Sequence, residues 1–211
     1  MHQSILCRDE VRERLFQRIG LSCVMLNRKV GSISIKTMLI LVLMVLIYGA
    51  SQASALSESD FQRIGSKYSI SPYLLLAISI VESQSGELLG KYEVRNVVNE
   101  TQLKFLRKIA RHTGRDLSGF KGSHAGAMGY MQIMPSTFYT YGQDGDEDGM
   151  KDPLNPYDSL ATAAYYLAHK IASKSNLRTA IKKYNNSASY CEKVLRLSRK
   201  LELESKFASS E

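Results

Sequence analysis

Apolar residues recur every three or four positions after residue 58, which is the spacing of one face of an α-helix. This pattern predicts seven short helices and no convincing run of strands, so the expected fold class is all-α, a compact helical domain. The stretch Glu87–Val98 lacks the periodicity. The predicted helices are Ser59–Tyr68, Ser71–Gly86, Thr101–Thr113, Pro135–Tyr141, Ser159–Lys174, Leu177–Tyr184 and Tyr190–Leu203.

The helix predicted over Ser71–Gly86, SPYLLLAISIVESQSG, carries boundary signals at both ends. Ser71 can cap the first turn, and Pro72 suits the first helical position because its missing N–H has no partner there. Gly86 suits the left-handed residue that ends a helix. The apolar face between these ends consists of Leu74, Ala77, Ile78 and Val81.

Glu82 projects from nearly the same side as this apolar face, because it follows Ile78 by four residues. A carboxyl group beside apolar neighbours and near the negative end of the helix dipole is expected to hold its proton tightly. Taken alone, the helix favours a simpler interpretation, in which Glu82 emerges at the edge of the core into water as most carboxylates do. Segments further along the chain reverse that preference.

The segment Lys121–Phe138 is rich in glycine, which lets a backbone pass close to a ligand or to a neighbouring helix. Ser123, Tyr130 and Gln132 in this segment carry side chains that can hydrogen-bond polyols. The residues alone leave two alternatives open, a polyol-binding loop and a close helix crossing. The glycines are Gly122, Gly126 and Gly129.

The acidic segment Asp144–Gly149 has carboxylates at alternate positions and a glycine at the sixth, as a calcium loop begins. Asn155 stands at the twelfth position, where such loops usually carry a bidentate Glu, and Asp158 could close the site instead. A solvated acidic loop is the alternative. The spacing favours a metal site.

The formal net charge of the 211-residue chain is +8, and it is divided equally between two parts. Residues 1–55 hold seven Lys and Arg against three Asp and Glu, whereas residues 56–211 hold 21 against 17. The second part is therefore only mildly basic. This balance suits an anionic polymer such as a cell-wall glycan, and we expect no nucleic-acid partner.

An uncharged apolar run, Met38–Ala50, precedes the small-residue sequence Ala53–Ala55. The run is shorter than the about 20 residues of a membrane span, and the small residues fit a signal-peptidase site. We therefore expect residues 1–55 to be an export signal and 56–211 the mature domain. An uncleaved signal that tethers the protein to the membrane is the alternative. We further expect translation to begin at Met25, so that 1–24 lie upstream of a signal peptide over 25–55.

Four separated segments resemble the lytic transglycosylase family, which cleaves peptidoglycan glycan strands. The phrase Lys121–Tyr130 is most similar to the membrane-bound lytic transglycosylase B type, whereas Met131–Pro135 reads as in the soluble lytic type. The resemblance implies a lysozyme-like helical domain. The four segments are Val81–Ser83 with Gly86, Gly129–Thr137, the Ala163–Leu167 helix, and Tyr184–Asn185.

The resemblance implies that Glu82 is the single catalytic acid and base. Glu82 would protonate the glycosidic oxygen at the MurNAc–GlcNAc bond and then take a proton from the C6 hydroxyl of MurNAc. That hydroxyl attacks C1 of the same sugar and leaves 1,6-anhydro-MurNAc, without water and without a cofactor. No second acid lies in the recognisable motifs, whereas hydrolytic glycosidases normally use two.

The same resemblance implies two further sets of residues. A structural Ca²⁺ would brace a loop through Asp144, Asp146, Asp148, Asp158 and the Met150 carbonyl. A sugar groove would be lined by Ser123, Gln132, Tyr166, Tyr184 and Asn185.

Three alternatives for the function remain open at this point. One is a hydrolase of goose-lysozyme type, which would direct water to C1. Another is a non-catalytic glycan-binding module that anchors a cell-envelope assembly. A third is a space-making enzyme dedicated to one secretion or pilus machine. Each would act in the periplasm or elsewhere in the cell envelope.

Overall fold

The computed structural model describes residues 56–173 and 176–208, and the predicted export segment 1–55 lies outside these residues. The regular secondary structure of the described chain is almost all helical, which confirms the all-α prediction. Two-residue strands, β1 (Tyr92–Glu93) and β2 (Lys121–Gly122), pair antiparallel, and a 3-10 turn covers Leu117–Gly119. The helices are α1 (Glu58–Tyr68), α2 (Pro72–Ser83), α3 (Val94–Val97), α4 (Glu100–Thr113), α5 (Pro135–Tyr141), α6 (Pro156–Ala172), α7 (Leu177–Tyr184) and α8 (Ala188–Ala208).

Helix α2 lies at the centre of the described domain. It packs most extensively against α8 and α1, and it also contacts α6. A single apolar face was expected, but Leu75 and Ser79 are buried together with Leu74 and Ile78. Because helices cover α2 on more than one side, its apolar residues surround most of its circumference.

The end of α2 differs from the prediction. The helix ends at Ser83 instead of Gly86, and Gln84, Ser85 and Gly86 all have positive φ angles of 51°, 57° and 94°. The Ser83 hydroxyl accepts a hydrogen bond from the Gly86 N–H at 2.9 Å, which holds the reversed chain against the helix. Glu82 therefore lies in the last turn, immediately before a tight left-handed bend.

Four helices begin one to three residues earlier than the apolar pattern predicts, and polar residues cap three of them. Ser57, Asn99 and Asn155 each accept a hydrogen bond from a backbone N–H of the first turn of α1, α4 and α6. The predicted bounds of α5 and α7 are confirmed. Helix α8 continues beyond Leu203 to Ala208, where Lys206 pairs with Glu202 one turn away.

No helix in the described part of the chain is by itself long and apolar enough to cross a membrane. Helices α1 and α2 together reach that length and composition, but they are bent by 119° at their junction. Several of their apolar residues, among them Ile64 and Leu75, are fully buried in the domain.

The glycines of the segment Lys121–Phe138 sit against other parts of the chain. A Cβ atom on Gly129 would lie 1.9 Å from the Pro153 carbonyl oxygen, and one on Gly126 would lie 2.1 Å from the Val98 side chain. Gly129 also has a φ of +73°. These glycines therefore permit close packing between loops, and that packing brings the segment onto the start of α6.

Replacing Gly129 should test this close approach directly. Gly129→Ala is expected to lower the free energy of unfolding by the cost of a left-handed Ala, about 1–2 kcal/mol, plus about 1–3 kcal/mol for the overlap with Pro153. Gly114→Ala is the matched control, because Gly114 has a φ of +66° and a Cβ added there would have no atom within 4 Å. Urea unfolding measures both, and equal losses would contradict the packing role.

Candidate active site

Glu82 occupies a half-buried position in the last turn of α2. Burial raises the pKa of its carboxyl group above the ordinary value, because the charged form loses hydration. The neighbouring Tyr190 hydroxyl offsets part of this shift. The carboxyl group can therefore keep its proton to a higher pH than a solvated Glu, as a general acid requires.

Tyr190, at the start of α8, was not predicted as a site residue. Its hydroxyl is buried beside Glu82 and makes no hydrogen bond of ordinary length to any described residue. Burial and the nearby Glu82 charge both raise the pKa of this phenol, so it stays protonated and can donate. In the sequence it is one aromatic residue at the start of an amphipathic helix, and that signal does not distinguish a site residue from a core residue.

Tyr184 and Tyr166 form an aromatic wall next to Glu82. Burial, followed by the Glu82 charge, raises the pKa of the Tyr184 hydroxyl well above its usual range. That hydroxyl donates to the Met131 carbonyl at 2.6 Å, and the Tyr166 hydroxyl donates to the Lys183 carbonyl at 2.9 Å. The two rings meet edge to face with centroids 5.7 Å apart. Both side chains are therefore fixed by the protein itself.

Gln132 lines the same small cavity as Tyr166 and Tyr184, with a volume of about 50 Å³. Its backbone has a φ of 48°, and its side-chain amide donates to the carbonyls of Gly129 at 3.0 Å and Leu89 at 3.2 Å. The amide nitrogen is thus engaged by the protein itself. Three of the predicted sugar-binding residues lie together here.

Tyr130 is largely buried, with 6% of its surface exposed. Its backbone carbonyl accepts a hydrogen bond from the Ser83 hydroxyl at 2.7 Å. Its ring covers Gly86, where an added Cβ would lie 2.7 Å from a ring carbon. The loop that carries Tyr130 and Gln132 is thereby tied to the end of α2, directly beside Glu82.

The two remaining predicted groove residues lie outside the small cavity. The Ser123 hydroxyl accepts a hydrogen bond from the Ala127 N–H at 3.1 Å within its own loop. Asn185 is exposed at the end of α7. Neither residue lines the cavity with Gln132, so their roles stay predictions.

The predicted calcium loop brings three carboxylates together. One oxygen from each of Asp144, Asp146 and Asp158 lies within 4.8 Å of the others. Asp144 Oδ1 is buried without a hydrogen-bond partner. Burial raises the pKa of Asp158 to about 6, and repulsion from Asp146 and Asp144 adds to the shift. A cation at this position would supply the missing partner and relieve the repulsion, so the residues fit a metal.

Backbone hydrogen bonds hold the loop in place around Asp158. Its carboxylate accepts from the N–H groups of Gly145 and Asp152, both at 2.7 Å. The fourth predicted carboxylate, Asp148, is not part of the three-residue group, and it accepts a hydrogen bond from the Met150 N–H at 2.7 Å. Three members of the predicted five-ligand set are thus drawn together, and the complete set stays a prediction.

The comparison with known proteins decides the family. The model of the transglycosylase SLT domain matches residues 42–177. This chain belongs to the SLT-domain transglycosylases. The resemblance noted from the sequence is thereby confirmed. Membrane-bound lytic murein transglycosylase B of Escherichia coli K12 is 29% identical over 126 residues, which are 53% of this chain and 35% of that protein. The chain thus spans about a third of that relative's length.

Solved lytic transglycosylases share the fold. Escherichia coli SLT35 in complex with calcium is 21% identical with a TM-score of 0.62, covering 70% of this chain and 71% of its own. Pseudomonas aeruginosa SltB3 in complex with NAG-anhNAM-pentapeptide is 22% identical with a TM-score of 0.58, covering 75% and 62%. These similarities confirm the predicted lysozyme-like helical fold.

The raised pKa of Glu82 implies a pH-dependent cost to the stability of this SLT-domain chain. Glu82→Gln is expected to increase the free energy of unfolding at pH 7, because it removes a half-buried carboxylate. The gain should vanish below the unfolded-state pKa of Glu, about 4.3, where the native carboxyl is protonated in both states. Urea unfolding at pH 7 and pH 4 measures it, with Glu87→Gln at an exposed position as the charge control. A gain equal at both pH values would contradict the assignment.

Proposed function

We propose that this chain is a peptidoglycan lytic transglycosylase, which cleaves the MurNAc–GlcNAc β-1,4 bond and leaves 1,6-anhydro-MurNAc. The observation that carries the proposal is Glu82, a half-buried carboxyl group with a raised pKa beside a wall of tyrosines. Membership of the SLT-domain family supports it. The bound peptidoglycan fragment of Pseudomonas aeruginosa SltB3 supports a glycan strand as the ligand.

Glu82 would act twice in one turnover. It first donates its proton to the glycosidic oxygen as the bond from that oxygen to C1 breaks. The resulting carboxylate then accepts the proton of the C6 hydroxyl as O6 bonds to C1. The proton gained in the second step replaces the one lost in the first, so no water is consumed and the enzyme returns to its starting state.

The surroundings of Glu82 favour this single-acid chemistry over hydrolysis. Burial and Tyr190 are the influences on its pKa, and the described residues that line the neighbouring cavity include no carboxylate. Glycoside hydrolysis normally uses a second carboxylate to position water or to bond to the sugar. With one acid, we infer that the nucleophile comes from the substrate, as the C6 hydroxyl of the sugar whose C1 it attacks.

The residues proposed to bind the sugars belong to the site around Glu82. We infer that Gln132, Tyr166 and Tyr184 contact the sugars next to the cleaved bond, since they line one cavity and Tyr184 lies close enough to Glu82 to feel its charge. Ser123 and Asn185 would extend the groove, and Tyr130 would shape its floor. Tyr190 would donate its free hydrogen bond to the Glu82 carboxylate, which stabilises the charged form between the two proton transfers.

Calcium would serve the structure of the loop and take no part in the chemistry. We propose that Asp144, Asp146 and Asp158 hold Ca²⁺, with Asp148 and the Met150 carbonyl completing the shell. The orphaned Asp144 oxygen supports this site. The calcium complex of Escherichia coli SLT35 makes calcium the first metal to test.

The cellular location of this chain is inferred from its sequence. We infer that residues 1–55 direct export and that 56–211 act on the wall in the cell envelope. The relative in Escherichia coli is named as membrane-bound. An uncleaved signal would tether this chain in a similar way.

Glu82→Gln is expected to abolish the release of soluble fragments from purified sacculi, with a loss of at least about 10³-fold, because the acid and the base are one group. Mass spectrometry of the products from the native protein should find anhydro ends, which lack one water relative to reducing ends. Glu87→Gln, just beyond the helix, should keep full activity.

Three results would overturn this function. Reducing MurNAc ends would indicate a hydrolase of goose-lysozyme type. Binding to sacculi without any released fragment would indicate a non-catalytic glycan-binding module. Full activity of Glu82→Gln would remove Glu82 from the mechanism.

Calcium at millimolar concentration is expected to raise the melting temperature, because a ligand that binds only the native state stabilises that state. EGTA should reverse the increase. Asp144→Asn should lose this response. Glu147→Gln is the matched control, because Glu147 lies in the same loop but pairs with Lys67 at the surface. An equal response of the two variants would contradict the proposed ligands.

A further inference from the structure

A second cavity lies between α4 and α5, with a volume of about 550 Å³. We name it the α4–α5 pocket and define it by Lys108, Arg111, His112, Tyr139 and Lys151. It shares no lining residue with the small cavity of Gln132, Tyr166 and Tyr184. Its volume lies in the range of small-molecule sites, and nothing in the chemistry of Glu82 requires it.

The lining of the α4–α5 pocket is basic and contains no carboxylate. Arg111, His112 and Lys151 make no ion pair with any described residue, and all three are exposed. Arg115, one turn beyond Arg111, differs from them because it pairs with Asp152. Positive charges gathered around a concave surface repel one another and raise the local concentration of anions.

Lys108 is held in place at the rim of the pocket. Its ammonium group lies 4.7 Å from the ring centroid of Tyr139 and 5.7 Å from that of Phe105. The two rings contact each other with centroids 5.3 Å apart. Cation–π contacts of this kind restrict a flexible Lys, so less conformational entropy is lost when a ligand binds.

The walls of the pocket are also fixed relative to each other. Gln102 of α4 accepts a hydrogen bond from the Ser136 N–H at 2.8 Å and donates to the Ser136 hydroxyl at 2.9 Å. Helices α4 and α5 are therefore joined at the start of α5. The hydroxyl groups of Tyr139 and Thr140 make no hydrogen bond to a described residue, so both remain available to a polar ligand.

We propose that the α4–α5 pocket binds a phosphorylated saccharide. Three permanent cations, Lys108, Arg111 and Lys151, balance a phosphomonoester, which carries about −1.5 to −2 charge at pH 7, better than a single carboxylate. Arginine is suited to phosphate oxygens because its N–H groups can engage two of them at once. The space beyond a phosphate accommodates a sugar ring, whose hydroxyls face Tyr139 and Thr140.

Calorimetric titration of the full chain at 0.15 M salt tests the proposal with four probes: glucose 6-phosphate, inorganic phosphate, glucose and glucuronate. Glucose 6-phosphate is expected to bind more tightly than inorganic phosphate and glucuronate, and glucose should not bind detectably. Glu82→Gln should bind glucose 6-phosphate as the native chain does, which separates this site from the proposed catalytic one. No binding of glucose 6-phosphate, or equal binding of glucuronate, would overturn the assignment.

Charge-matched variants locate the binding. The double change Arg111→Gln and Lys151→Gln should weaken glucose 6-phosphate binding about tenfold or more, since two charge-assisted hydrogen bonds are lost. Lys193→Gln with Arg199→Gln removes the same charge from exposed positions on α8 and should leave binding unchanged. An equal loss of glucose 6-phosphate binding in both double variants would show that net charge alone causes the effect. That result would overturn the proposed site.

A competition experiment with phospholipid vesicles distinguishes a saccharide ligand from a lipid surface. Phosphatidylglycerol vesicles carry phosphodiesters without a sugar ring, and they should not compete with glucose 6-phosphate for the native chain. Competition that the Arg111 and Lys151 changes abolish would assign the pocket to a membrane surface instead, and it would overturn the saccharide proposal.

Discussion

One hydrogen bond, from the Ser83 hydroxyl to the Tyr130 carbonyl at 2.7 Å, joins the two parts of the chain on which the site depends. Ser83 follows Glu82 in the last turn of α2, and Tyr130 lies in the glycine-rich segment that carries Gln132. Because Ser83 is buried, water cannot replace Tyr130 as its partner. The same hydroxyl accepts from Gly86, so the helix end, the left-handed bend and the loop are positioned together.

The position of Glu82 illustrates why such fixing is needed. A half-buried carboxyl group loses hydration, and its neighbours here are tyrosines whose hydroxyls are mostly engaged elsewhere. The protein therefore holds an acid where burial alone would favour its neutral form, and it holds the surrounding dipoles rigid. Preorganised dipoles of this kind stabilise developing charge without reorganising during the reaction. The cost is a less stable native state at neutral pH.

Much of this arrangement could be predicted from the sequence, because helix periodicity and a few special residues determine it. Helices α5 and α7 have the predicted bounds, and Glu82 was assigned to the edge of the α2 apolar face. The end of α2 could not be predicted, because Gln84 and Ser85 adopt left-handed backbone conformations. Gln and Ser in a sequence rarely indicate such a conformation. Tyr190 was missed because its nearness to Glu82 arises from the packing of α8 on α2, which no local pattern encodes.

Helix α6 carries residues of two different features, the acidic loop and the aromatic wall. Asp158 in its first turn anchors the acidic loop through Gly145 and Asp152, and Tyr166 two turns later forms part of the aromatic wall. Eight residues of helix span about 12 Å, and a helix of this length behaves as a stiff rod. A tilt imposed at one end would thus be transmitted as a lever to the other. If the proposed cation binds this loop, its occupancy would be coupled through α6 to the position of Tyr166 in the aromatic wall.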